Sequence, residues 1–166
     1  GTNTASLALA ASKAITGNVV INASGTLTLN NSSSVSGTIN AASAGVGTLA
    51  IASSSSVVAA ANIGGSSSST ALSSVTVGSS STLNLATNNV TLRATTVSLT
   101  GTLTAGSGVV TGTIQGSSDG AGTVNFNASQ TLAGNVGTSA NSLSSIVLAS
   151  SVAITANSYN IDSTNI

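Results

Sequence analysis

Leu7, Leu9, Ser12, Ile15, Gly17 and Val19 return after twenty residues as Leu27, Leu29, Ser32, Val35, Gly37 and Ile39, at identical offsets. The frame reappears at Val124, Phe126, Ser129, Leu132, Gly134 and Val136, and more loosely from Leu49 and Ile51. A short motif repeated along a chain constrains the fold severely. One copy cannot bury its own apolar face, so neighbouring copies stack into an array of coils. Such a chain builds a rod with long faces rather than a hollow around a pocket.

Within the frame, apolar residues come in pairs two apart: Leu7/Leu9, Val19/Ile21, Leu27/Leu29, Val75/Val77, Leu83/Leu85, Ile146/Leu148. Residues two apart in a strand share one face. The residues between them are mostly Thr, Ser, Asn and Ala, so Leu27 and Leu29 turn inward while Thr26 and Thr28 turn outward. No stretch holds a helical period. The Ser-, Gly-, Asn- and Ala-rich segments between pairs, such as 32–34, 53–56, 64–69 and 116–122, read as corners. Each frame supplies three apolar contributions, Leu7/Leu9, Ile15 and Val19/Ile21. The expected fold is therefore all-β: one domain over 1–166, a three-sided parallel β-helix (β-solenoid) with about 20–22 residues per coil. About eight coils spaced ~4.8 Å apart make a stack about 38 Å long.

A larger repeat overlies the short one. The landmarks Leu49/Ile51, Val57, Ile63, Leu72, Val75/Val77, Leu83/Leu85, Val90/Leu92 and Val97 are followed in the same order by Val124/Phe126, Leu132, Val136, Leu143, Ile146/Leu148, Val152/Ile154, Tyr159/Ile161 and Ile166. The two copies run over about 49–123 and 124–166, the second incomplete.

Composition then narrows function. Hydrophobic residues are 40% of the chain, charged residues 2% and aromatics 1%, and the net charge is zero. Disordered chains combine low hydrophobicity with high charge, the opposite pattern. Phosphate backbones and anionic lipids call for clustered cations. Lys13 and Arg93 are the only two here, so no nucleic-acid partner is expected. No apolar run is long enough to span a bilayer as a helix, and no membrane insertion is expected. The segment 1–9 lacks the basic start and apolar stretch of a signal peptide. Zero net charge favours self-association.

The chemistry-bearing residues are few. Asp119 and Asp162 are the only carboxylates, and they fall in different large repeats. Asp119 sits in the turn Ser117-Ser118-Asp119-Gly120, where a turn role suffices. With no His or Cys, and no cluster of acidic residues, no metal site and no cofactor are expected. Ser12 precedes Lys13, but it recurs as Ser32 and Ser129 without a lysine, which marks it as a structural corner rather than a nucleophile. Arg93 follows Val90/Leu92 and Asp162 follows Tyr159/Ile161, so parity turns both outward at equivalent places of the two large repeats. Thr26/Thr28 and Thr102/Thr104 resemble pieces of an ice-binding array that intervening coils break. No catalytic residue is expected.

The runs Gly122-Thr123-Val124-Asn125-Phe126-Asn127, Leu132-Ala133-Gly134-Asn135-Val136-Gly137 and Leu143-Ser144-Ser145-Ile146-Val147-Leu148 resemble repeats in the passenger regions of bacterial autotransporter adhesins, in the style of the rickettsial surface cell antigens. The resemblance implies a right-handed parallel β-helix displayed outside a bacterial cell, serving adhesion or surface coating. It carries over no catalytic residue.

Coil ends are layers of unpaired backbone groups, and no charged coil, Pro or amphipathic helix is visible to close them. The expected partners are other copies of the chain stacked head to tail, or further coils of a longer solenoid. A host surface ligand on the polar faces is the alternative. The expected function is that of a non-enzymatic extracellular structural protein of a bacterial surface fibre, with an adhesin module as the second reading. The residues expected to carry its stability are Leu7, Leu9, Leu27, Leu29, Leu49, Ile51, Val124, Phe126, Ile146 and Leu148.

Overall fold

The computed structural model describes residues 5–65 and 67–166. Residues 1–4, read above as the entry to the first coil, and Ser66, read as part of a turn, lie outside the described residues. The chain winds as a parallel β-solenoid of about seven turns. Its first face is a six-stranded parallel sheet of Ser6–Leu9, Thr26–Leu29, Val46–Ile51, Leu72–Val77, Leu92–Leu99 and Val110–Gly116. The second face opens with the short strands Ala14–Ile15 and Ser34–Val35. It continues as a five-stranded sheet of Ser56–Val58, Thr82–Asn84, Thr102–Ala105, Thr123–Phe126 and Ser145–Leu148. The third face is thinner. Val19–Ile21 pairs with Ile39–Ala41, after which single bridges link Ile39 to Ile63 and Ile63 to Leu92.

Period-two alternation places the core as the sequence predicts. On the first face the inward ladder runs Leu7, Leu27, Leu49, Val75, Val97, Ile114, Val136, Ile161. On the second it runs Val57, Leu83, Leu103, Val124, Ile146. Like residues stack on like from coil to coil, so each rung is covered above and below by another apolar side chain. The outward residues between them form columns too. One on the first face holds Ser6, Thr26, Thr48, Ser74, Thr96 and Thr113 in register. The column beside it is interrupted at Ala8, Ala50 and Gln115, in keeping with the broken threonine array.

Coil length departs from the expected 20–22 residues. The turn from Leu49 to Val75 takes 26 residues, whereas that from Val97 to Ile114 takes 17. The difference lies at the corner where the third face passes into the first. A loop crosses it between Ile63 and Leu72 and includes the short 3-10 turn Ser68–Thr70. One turn later, Leu92–Leu99 rounds the same corner as one strand with a register shift between Arg93 and Thr96.

The corner from first to second face has its own device. Ser12, Ser32, Ser54 and Ser80 all adopt left-handed backbone, with φ of 59°, 57°, 57° and 55°. Serine pays about 1–2 kcal/mol for that conformation. It is fixed here by coil-to-coil bonds: the Ser12 N–H donates to the Asn31 carbonyl at 2.9 Å, and the Ser54 N–H to the Ser79 carbonyl at 2.9 Å. The next residue differs between coils. Ser33, Ser55 and Ser81 are buried, and their hydroxyls donate to nearby carbonyls, Ser81 to that of Ala52 in the preceding coil at 2.8 Å. Lys13 holds this place in the first coil, where it is exposed. Ser12 and Ser32 are thus structural corners, as recurrence implied. Ser129 is not a left-handed corner; its hydroxyl accepts the Ala153 N–H at 3.0 Å.

The large sequence repeat meets the fold with an offset. Leu49/Ile51 stands on the first face, while Val124/Phe126 stands on the second. From Leu49 the ladder passes Val75, Val97 and Ile114 before Val124 is reached. The repeat therefore covers three turns and one further face. Local detail survives the offset. Gly64 packs against the Arg93 carbonyl in the coil beyond it, as Gly137 packs against the Asp162 carbonyl.

Candidate functional site at the open coil ends

Of the ten residues expected to carry the core, Leu27, Leu29, Leu49, Ile51, Val124, Phe126 and Ile146 are buried. Leu9 is partly buried. Leu7 and Leu148 depart from the expectation. Leu7 pairs in register with Leu27, yet it is 53% exposed and Leu27 only 2%. Leu148 pairs with Phe126 and is 40% exposed against 1%. Ile161 follows Val136 on the first-face ladder and is 42% exposed against 1%. In each case the side chain holds an inward ladder position in the first or last of the described coils.

The far end is concave. Phe126, Val136, Ile146, Leu148, Ile154 and Ile161 surround an apolar depression of about 140 Å³, with Ile166 at its edge. The near end presents Leu7 and Val20 beside a groove of about 240 Å³. Neither end carries an ionisable side chain among these lining residues. The strands Ser6–Leu9 and Ser145–Leu148 are the outermost of their sheets, and the Ile146 N–H donates to the Asn165 carbonyl at 2.9 Å.

The two carboxylates stand apart in role. The Asp119 Oδ1 accepts the Ser142 hydroxyl at 2.6 Å and the Ser142 N–H at 3.3 Å, and Ser142 is buried. The Gly120 N–H donates to the Ser142 hydroxyl at 3.2 Å. Asp119 thereby clasps its own turn to the next coil. The Ser142 hydroxyl and then the Ser142 N–H hold its carboxyl below the ordinary aspartate value; desolvation opposes them, and the Gly120 N–H adds a smaller lowering. Asp162 bonds through its main chain, its N–H to the Val136 carbonyl at 2.8 Å and its carbonyl to the Leu143 N–H at 3.2 Å. Arg93 and Asp162, expected on one face, are on different ones: Leu92 ladders on the third face and Ile161 on the first. Among the described residues no three metal-ligating side chains gather.

The clasp has a pH signature. A depressed carboxyl pKa contributes stability that is complete above the unfolded-state value and is lost as pH falls through the folded value. The wild-type thermal midpoint should therefore drop as pH falls below about 4, and the midpoint of Asp119→Asn should drop less. Parallel acid limbs in circular-dichroism melts of the two proteins would show that the clasp carries no such linkage.

No helix among the described residues is long and apolar enough to cross a membrane. No protein-family model, curated protein or solved structure matches this chain.

Proposed function

We propose that this chain is a non-enzymatic structural protein, a β-solenoid segment of a bacterial surface fibre that extends end to end by stacking on coils of another copy. The observation that supports this reading is the ladder of like inward residues stacked coil on coil in one register, Leu7, Leu27, Leu49, Val75, Val97 and Ile114. A second copy is the occupant that fits best, because its first coil presents the same strand spacing and inward parity that the ladder already repeats seven times. Its strand edge would continue the hydrogen-bond ladder by strand addition. A head-to-tail joint of this kind does not close on itself and so propagates. The likeness of the repeats to autotransporter adhesin passengers supports placement outside a bacterial cell.

Negative-stain electron microscopy across a concentration series tests the proposal. Long, thin, uniform fibres are expected, with an axial repeat near the length of seven turns, roughly 34 Å at ~4.8 Å each. Leu7→Asp should abolish them, because it places a charge in the joint, while leaving far-UV circular dichroism unchanged. Short single rods at every concentration would overturn the reading and turn attention to the lateral faces.

A further inference from the structure

The corner between third and first face holds a concavity that the end-stacking reading does not use. Its volume is about 480 Å³, within the usual range of about 300–1,000 Å³ for ligand sites. Ala44, Gly45, Ser67, Ser68, Arg93, Ala94, Thr95 and Thr111 are among the residues that line it. Coil length explains why it exists. The 26-residue turn carries the 3-10 turn Ser68–Thr70 at this corner, and Leu92–Leu99 and Val110–Gly116 then take it in fewer residues.

Arg93 is set in this concavity by unusually close main-chain packing. Gly64, with φ +77°, lies against the Arg93 carbonyl, and Gly112, with φ +110°, lies against the Ala94 carbonyl. The Arg93 N–H donates to the Ile63 carbonyl at 2.8 Å. The register shift between Arg93 and Thr96 is the kind of irregularity that re-aims a side chain. The lining from the two preceding coils is tied down as well. The Gly45 N–H donates to the Ala71 carbonyl at 2.9 Å, and the Thr70 hydroxyl donates to the Gly64 carbonyl at 3.2 Å. Among the described residues no carboxylate pairs with the Arg93 guanidinium and no group accepts a hydrogen bond from it.

We infer that this cleft binds the carboxylate of an acidic sugar, a uronic or sialic acid unit of a glycan. The planar guanidinium matches a carboxylate through two parallel N–H···O bonds. The hydroxyls of Ser67, Ser68, Thr95 and Thr111 suit the hydroxyls of a sugar ring, and Ala44 and Ala94 suit its C–H face. Charge complementarity selects an anion, since the cleft contains a cation and no acid. With one charge and no aromatic ring in the cleft, a single site binds weakly, and repeated acidic units along a glycan raise retention through avidity.

Surface plasmon resonance on immobilised alginate, a polyuronate, tests this, with neutral dextran and dextran sulfate as comparison surfaces. The expected result is saturable retention on alginate and at least about tenfold less on dextran. Arg93→Gln should lose at least about tenfold on alginate, the effect of one charge-assisted hydrogen bond. Thr95→Ala, which keeps the charge, should weaken binding severalfold, and Lys13→Gln in the first coil should bind as wild type. Equal retention on dextran, an Arg93→Gln protein that binds unchanged, or an equal loss in Lys13→Gln would overturn the inference. Stronger retention on dextran sulfate than on alginate would overturn the carboxylate assignment. The cleft lies on a lateral edge, so these ratios can be read in the Leu7→Asp background, where end-to-end assembly is blocked. Failure of one reading is thereby separable from failure of the other.

Discussion

Leu29→Asp is expected to cost about 4 kcal/mol or more, the largest effect of any single substitution considered. Leu29 is buried between Leu9 and Ile51 on the inward ladder of the first face. The change removes a buried side chain worth about 1.5–3 kcal/mol and adds a carboxylate with no cation beside it. Protonating that carboxylate would relieve the charge but leave a buried polar group in an apolar stack. Small domains hold about 5–15 kcal/mol in total, so a third or more of the stability is at stake. In a solenoid the damage also spreads to the coils on either side, since each is stabilised by its neighbours. Urea titration should show a large drop in midpoint. Leu7→Asp, inward on the same face one coil earlier, in register with Leu27 and half exposed, should cost less than about 1 kcal/mol in the unassembled protein. Equal midpoints for Leu29→Asp and wild type would contradict the inward ladder.

Gly112→Ala is expected to cost about 3 kcal/mol despite adding one carbon. Two effects combine. The φ of +110° is one that L side chains rarely adopt, and the new methyl would meet the Ala94 carbonyl, with that of Thr95 close behind. Neither neighbour is the flexible end of a side chain; both are main chain, held at the corner by the coil packing. The strain therefore cannot be relieved by a rotamer change. Gly120→Ala provides the contrast, because a methyl there meets nothing within 4 Å. It retains the penalty of a φ of +69° without the collision, about 1 kcal/mol. Thermal melts of both variants should separate backbone preference from close approach. Equal losses would mean that the approach at Gly112 relaxes freely.

The strands and their inward sides were legible because alternation is a local signal: Leu27 and Leu29 point one way wherever the coil lies. Which face a pair occupies is not local. It depends on every preceding corner, and corners vary from the loop between Ile63 and Leu72 to the continuous strand Leu92–Leu99. The sequence around that strand reads as two separate pairs, Val90/Leu92 and Val97/Leu99, and nothing in it announces a bulge between Arg93 and Thr96. The corner serines were recognisable as corners by recurrence. Their left-handed backbone was not, since Gly and Asn are the usual residues there. Burial of Ser33, Ser55 and Ser81 was hidden for a related reason: serine is mostly an exposed residue, and only stacking encloses these. The cleft beside Arg93 was not legible, because Ala44, Ser67, Arg93 and Thr111 come from four different passes of the chain around the axis.

The offset of the long repeat bears on how such a rod displays its surface. Two stretches of matching sequence, three turns and one face apart, look out in directions a third of the way round the axis from each other. Arg93 and Asp162, alike in local setting down to the glycine packed against each, thus address different sides. A chain elongated by further copies of this unit would wind its features around the shaft like a screw thread instead of lining them up in a stripe. A partner approaching from any quarter would meet one within a few copies, whereas a flat partner lying along the shaft would find its contacts only at widely separated points.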